Sequence, residues 1–460
     1  MFSVMASSSP NSFSNGPHKN LVGRGVPTRL PHDKPVDVSQ VTERGVMATR
    51  FLLSYMWLDL VRPSFVWHFP KLLSTALFVS WLCQPDKRMP RQVLLMLGFL
   101  GVMAIDIPVA KNSFAAVWTT YGMAVLFLGL CLPLVQFINT MARFQSMMHT
   151  LMAIIVVIGA WASVHRGYGP AAADGGQDEN YVTACMAMGL PLFLYSYLSA
   201  ETKLKRVFYL APIPILLLAV VVAENPSRGG FLGFMGVIGY MVVHSKRRVA
   251  ALIGIGVLAT VGGLMAGATY WQEMGTITDT ETGTADHRKD LWRIAAYMFL
   301  SYPLTGIGPN NFRWRIEEFE TSEIIEKYGH SLGGSAFTHS LYFELLAELG
   351  IAGVILFALI AVRNFRDLSK IKKSVQELMD EESSSLHVGG AFSPGGVSSG
   401  LLKTVQCYAH GVTASFIAFL VCSAFISTLY YSYFWLYSAM IASFNLIVEK
   451  LIKTLADERR

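Results

Sequence analysis

Long apolar blocks separated by short polar breaks dominate the chain. Val249 to Tyr270 and Ile351 to Val362 are examples, and neither alternates with the period of two that marks a half-buried strand. About 20 apolar residues in a row are enough to cross a bilayer as a helix. Read in order, the blocks predict about twelve spans, near 46–65, 68–84, 92–110, 115–138, 147–163, 182–199, 207–223, 230–244, 249–270, 341–363, 406–427 and 430–450. The first two are the weakest: Asp59 and Arg62 interrupt one, and the other is short. The expected fold is all-α, a polytopic transmembrane helix bundle with a partly helical exterior loop.

Composition strengthens this reading. Of 460 residues, 53% are hydrophobic and 15% charged, and the mean hydropathy is +0.43. Soluble chains carry about 25% charged residues. The net charge of +6 does not point to nucleic acid, because the basic residues sit in short loops between apolar blocks. Those loops alternate. Lys87 to Arg91, Lys203 to Arg206, Lys246 to Arg248, Arg363 to Lys373 and the tail from Lys450 share one parity. The positive-inside rule places them, and with an even span count the N-terminus, in the cytoplasm.

The expected layout follows. Residues 1–45, rich in Ser, Pro, Gly and Asn and lacking an apolar core, read as a disordered cytoplasmic tail rather than a signal peptide. Spans one to nine occupy 46–270. An exterior loop over 271–340 carries ten Asp/Glu against six Lys/Arg and part of the candidate site. Span ten is 341–363. The cytoplasmic loop 364–405 reads as a helix extension followed by flexible linker. Spans eleven and twelve fill 406–450, and 451–460 is a cytoplasmic tail. The five cysteines form no CxxC pattern and read as small buried hydrophobes.

Three polar features share the exterior side. In Glu224–Asn225–Pro226–Ser227–Arg228–Gly229–Gly230, Ser227 is a good helix N-cap. Arg228 then stands where backbone N–H groups already favour an anion. The two glycines would let a ligand approach the backbone. Arg228 snorkelling to lipid headgroups is the plain alternative. In the second feature, Leu291, Trp292, Ala295, Met298, Phe299 and Tyr302 follow helical spacing, with Arg288 on the same stripe and Arg293 toward its edge. Such a helix would lie along the membrane surface. Thr305 to Asn311 then breaks it with turn chemistry. In the third, His339 opens the next span, in its first turn, followed by Glu344 and Glu348 one turn apart. Carboxylates at that depth are costly and functional by default, and a neutral imidazole can act as a base. A structural His is the ordinary alternative. Together the features describe an anion clamp plus a base.

At these residues the sequence resembles the bacterial O-antigen ligase superfamily, which includes O-antigen ligases, related polysaccharide polymerases and protein O-oligosaccharyltransferases. Ser227–Arg228–Gly229 opens a span, and Arg288 stands four residues before Trp292. Pro303 to Phe312 resembles the family's Gly-rich stretch, and His339–Ser340–Leu341–Tyr342 leads into Glu348–Leu349–Gly350–Ile351–Ala352–Gly353. Family members usually have Asn where Ser340 stands. The resemblance covers roughly 210–360. It implies a metal-independent glycosyltransferase of the bacterial inner membrane, without a cofactor. The donor would be a polyprenyl-pyrophosphate-linked glycan, and the acceptor lipid A–core, another glycan or a protein. Carried over, Arg228 and Arg288 would hold the donor pyrophosphate and His339 would activate the acceptor hydroxyl, with Glu344, Glu348, Ser227 and Arg293 supporting. Ligase and polymerase remain open within this class. A transporter or flippase is the reading from another class, and Asp106 beside Pro108 is its best argument.

Overall fold

The computed structural model describes residues 45–62, 69–171, 177–245, 248–275, 283–334, 336–387 and 399–458. The expected N-terminal tail lies outside the described residues, apart from Gly45, as does the centre of the expected linker, 388–398. Every regular element among the described residues is helical. The first group is α1 (Val46–Val61), α2 (Phe69–Leu82), α3 (Arg91–Asp106), α4 (Ser113–Leu126), α5 (Leu132–Phe137) and α6 (Met141–Val164). Next come α7 (Glu179–Ser199), α8 (Lys203–Leu210), α9 (Ile213–Val221), α10 (Arg228–His244), α11 (Arg248–Met265) and α12 (Ala268–Gly275). The segment before His339 holds α13 (Gly283–Ser301), α14 (Phe312–Arg315) and α15 (Ser322–Tyr328), and the chain ends with α16 (Leu341–His387), α17 (Ser399–Cys422) and α18 (Ser432–Glu458).

Seven helical stretches among the described residues are long and apolar enough to cross a membrane: 91–109, 113–137, 141–164, 179–199, 203–221, 341–381 and 400–422. Large apolar side chains on several of them, including Ile105, Phe114 and Val164, face outward and are exposed. An apolar exterior on this scale suits lipid, not water. The chain is a multi-pass helical membrane protein.

Sequence chemistry explains where the helices deviate. Pro212 lacks an N–H to continue a helix, and the chain turns at Ala211–Pro212 between α8 and α9. Between α4 and α5 the chain passes through a π-helical turn, Phe127–Cys131. Its Gly129 sits so close to Ser74 of α2 that a side chain there would collide. The α16 helix runs well past residue 363, which is the helix extension expected for that loop.

The core is built from α7, α10, α16, α17 and α18, with α3 and α6 against them. At its centre Trp435 of α18 is fully buried. Its ring meets Phe99 of α3 at 4.7 Å, Phe127 at 4.9 Å and Phe434 at 4.9 Å between centroids. Rings in tilted and edge-on contact add to the gain from area burial. Tyr181 of α7 meets Tyr433 of α18 at 5.5 Å, and Phe357 of α16 stacks on Phe434 at 4.0 Å between centroids, so α18 ties α7 and α16 together near the N-terminal ends that carry the site. The basic stretches lie at the other ends: Lys203 follows α7, Arg248 follows α10, and Arg363 lies deep along α16. Along α10 alone the separation is about 25 Å at 1.5 Å per residue.

Candidate functional site

The α13 helix forms over the expected stripe, but its partner is protein. Leu291, Ala295 and Met298 are fully buried against Ile307, Phe312 and Ala347, and α13 packs on α16. One edge of α13 is tied down by ions: Lys327 of α15 reaches Asp286 and Asp290 at 2.6 Å each. The expectation that this stripe rests on the membrane surface is therefore replaced by docking onto α16.

Between α13 and α14 the Gly-rich stretch runs along a break in α16. Gly350 has φ 55° and ψ −158°, far from helical values. A Cβ there would lie 2.8 Å from the Gly306 nitrogen, so only glycine fits. The break releases carbonyls that an unbroken helix would use. Ile307 N donates to Ala347 O at 2.9 Å and Gly308 N to Glu348 O at 3.0 Å, while Ile351 N turns to Pro303 O at 2.8 Å. The Glu348 carboxylate completes the joint. It accepts from Asn310 N at 2.6 Å, Phe312 N at 2.9 Å and the Tyr430 hydroxyl at 2.5 Å. Two of these three bonds, from Asn310 and Phe312, hold the loop in place, and the side chain is buried, which is a scaffolding position and not one open to substrate.

His339 lies just before α16 and not in its first turn, contrary to the sequence expectation. Its φ is +47°, a region few non-glycine residues adopt. Its neighbours hold it there. Trp292 of α13 donates from Nε1 to Thr338 O at 2.9 Å, and the Thr338 hydroxyl meets Ser427 at 2.9 Å. On the other side Leu341 N donates to Ser423 O at 2.9 Å. Strained backbone held from both sides is a feature of functional sites.

A cavity of about 280 Å³ opens at this residue. Its walls include His339, Glu344, Asp178, Tyr181, Asn310 and Tyr430. Glu344 accepts from Leu429 N at 3.2 Å. Burial pushes the His339 imidazole pKa down, Arg288 adds to this, and Asp178 opposes it. The base form of the ring is thereby favoured. Burial also lowers the Arg288 guanidinium, with Arg228 adding and Asp178 opposing. His339, Arg288, Arg228 and Asp178 are therefore electrostatically linked, although neither arginine lines the cavity itself.

Ser227 caps α10 as expected, accepting from Gly230 N at 3.0 Å. Arg228 in the first turn meets Glu273 of α12 at 3.1 Å. The glycines that follow serve packing, not ligand approach: a Cβ at Gly229 would meet Phe425 at 2.7 Å, and one at Gly230 would collide with Thr183. Arg293 is not brought to the cavity. It is exposed and pairs with Asp290 and Glu323 at 3.8 Å each. Asp106 also stands apart from the cavity lining, buried at the end of α3 with Oδ2 lacking a hydrogen-bond partner among the described residues.

Sequence reasoning missed Asp178, Asn310 and Tyr430, which line the cavity. Asp178 caps α7, its Oδ1 accepting from Tyr181 N at 2.8 Å, and an Asp before a helix is a readable cap signal. Arg62 ends α1, with Nε donating to Asp59 O at 3.0 Å. In the sequence it registers only as an interruption.

The fold and site define a multi-pass α-helical membrane protein with a polar cavity at the helix ends, lined by His339, Asp178 and Glu344. A family model described as O-antigen ligase matches residues 213–358, from α9 into α16. That match over part of the chain points to the O-antigen ligase and polymerase superfamily, not to one member of it. No curated protein matches the chain.

Proposed function

We propose that the protein is a membrane glycosyltransferase of O-antigen ligase type. It moves a glycan from a polyprenyl-pyrophosphate carrier to a hydroxyl acceptor at the periplasmic face of a bacterial inner membrane, with twelve spans and both termini cytoplasmic. The acceptor is lipid A–core or, in the polymerase version, a growing polysaccharide. The observation that carries the reading is the strained, cavity-lining His339, whose pKa burial and Arg288 lower, in the same family-matching segment as Arg288 and Arg228.

In the reaction, His339 takes the proton from the acceptor hydroxyl as its oxygen bonds to the anomeric carbon. The bond from that carbon to the pyrophosphate oxygen breaks, and the leaving group departs with the electron pair. Direct displacement inverts the anomeric centre. Arg228 and Arg288 engage the pyrophosphate by charge-assisted hydrogen bonds and stabilise the charge that grows on it, usually a large catalytic contribution. Asp178 favours the imidazolium that forms once His339 accepts the proton.

Glycan transfer by purified protein in detergent, which needs no sealed membrane, tests this against transport. His339→Ala should lose about 10²–10⁴-fold in rate while still binding the pyrophosphate-linked donor. Arg228→Ala and Arg288→Ala should each weaken the donor interaction. Full transfer by both arginine variants would sink the clamp. Movement of the donor across liposomes by a protein that transfers nothing would move the reading to a transporter.

A further inference from the structure

A second polar cavity, of about 280 Å³, lies far from the first. The two are linked by α7: Asp178, its N-cap, lines the first, and Ser199, its last residue, lines the second. The helix has 21 residues, about 30 Å at 1.5 Å each. That is about the thickness of the hydrocarbon core of a bilayer. The second cavity therefore sits at the opposite membrane–water boundary, on the side that carries the basic stretches.

One wall comes from α8, through Lys205 and Tyr209, which are one turn apart. Facing them is His149 of α6, with Nε2 2.9 Å from the Tyr209 hydroxyl. Gln145 of α6 and Thr404 of α17 add further hydrogen-bonding groups. Leu204 and Phe208 each precede a cavity residue by one position, about 100° around the helix. They are 80% and 63% exposed. One short helix thus turns a cationic, hydrogen-bonding face to the cavity and an apolar face outward, as helices lying in the membrane interface do.

A free phosphate would use the first face and leave the second idle. An anionic phospholipid uses both, with its phosphate in the cavity and its acyl chains along Leu204 and Phe208. Basic pockets between membrane helices hold such headgroups. We infer that this cavity is a binding site for an anionic phospholipid, with Lys205 as the cation for its phosphate. Glu201 shares the wall and opposes an anion, and among the described residues no ion pair joins it to Lys205. A bound headgroup touches α6, α8 and α17 together, so it should stabilise the fold. The inference is independent of the proposed reaction.

The test uses the full chain, purified in detergent and stripped of lipid. Phosphatidylglycerol, phosphatidylcholine and inorganic phosphate are added separately, and adducts are read by native mass spectrometry beside the thermal midpoint. Phosphatidylglycerol should form a discrete adduct and raise the midpoint, and the other two should do neither. Lys205→Gln should weaken its binding about fivefold, the equivalent of one lysine near an anionic surface. Lys203→Gln removes the same charge from the same helix outside the cavity lining, and should leave binding nearly unchanged. Both lysines are exposed, so neither change threatens the fold. Glu201→Gln should tighten binding. Equal losses in the two lysine variants would mean diffuse attraction to the helix surface and overturn the site. Equal binding of phosphatidylcholine would overturn the anionic headgroup, and an equal midpoint shift with inorganic phosphate would overturn the lipid.

Discussion

The amide of Ile307 donates to the carbonyl of Ala347 at 2.9 Å, the acceptor that Ile351 would use if α16 were unbroken. A loop has taken over one rung of a helix. The exchange depends on Gly350, whose positive φ turns the helix away and whose missing side chain lets Gly306 approach. Gly350→Ala should cost about 1–3 kcal/mol from backbone strain, before the clash is counted. It should lower the thermal midpoint in detergent and reduce transfer together. An unchanged midpoint would mean that the loop does not rely on the break.

Glu348 tests whether the same joint is structural or chemical. Glu348→Ala leaves the amide of Phe312 without its acceptor and the amide of Asn310 with only the Tyr430 hydroxyl at 3.3 Å, at about 1–3 kcal/mol for a buried group left unpaired. The expected result is a lower thermal midpoint with no change in the shape of the pH–rate profile. A Glu348→Ala protein with normal stability and a lost basic or acidic limb would make Glu348 a proton carrier.

Much of this was legible in the sequence, for identifiable reasons. Membrane helices announce themselves through block hydropathy, and the Ser227 cap and the α13 stripe obey local rules. Arg228, Arg288 and His339 stood out because charge and imidazole are rare beside apolar blocks. What failed depended on tertiary context. The glycines after Arg228 suit ligand approach as well as helix packing, and only Phe425 and Thr183 decide between them. Glu344 and Glu348 look alike in sequence, yet one lines the cavity and the other holds a loop. Asp178 lies more than a hundred residues from His339, and no local pattern connects them.

The pH dependence follows from the neighbours of His339. Burial, Arg288 and His287 lower its pKa, and Asp178 raises it. Since the base must be neutral, the acid limb of kcat/KM should lie below the ordinary histidine value of about 6.5. Arg288→Gln removes a lowering charge, so the limb should move to higher pH. Asp178→Asn removes a raising charge, so it should move to lower pH, and Asn still caps α7. A limb indifferent to both changes does not belong to His339.

Glu273 occupies Arg228 at 3.1 Å, in the place where the donor pyrophosphate is proposed to bind. A partly exposed pair of this kind contributes up to about 1 kcal/mol, which a binding anion must displace. Glu273→Gln should therefore lower the donor KM by up to about fivefold and leave kcat unchanged. The gain should shrink as salt rises, because screening weakens the pair in the unsubstituted protein. If Glu273→Gln instead raises the donor KM, the carboxylate orients Arg228 rather than competing for it, and the pair belongs to the donor site as a positioning element.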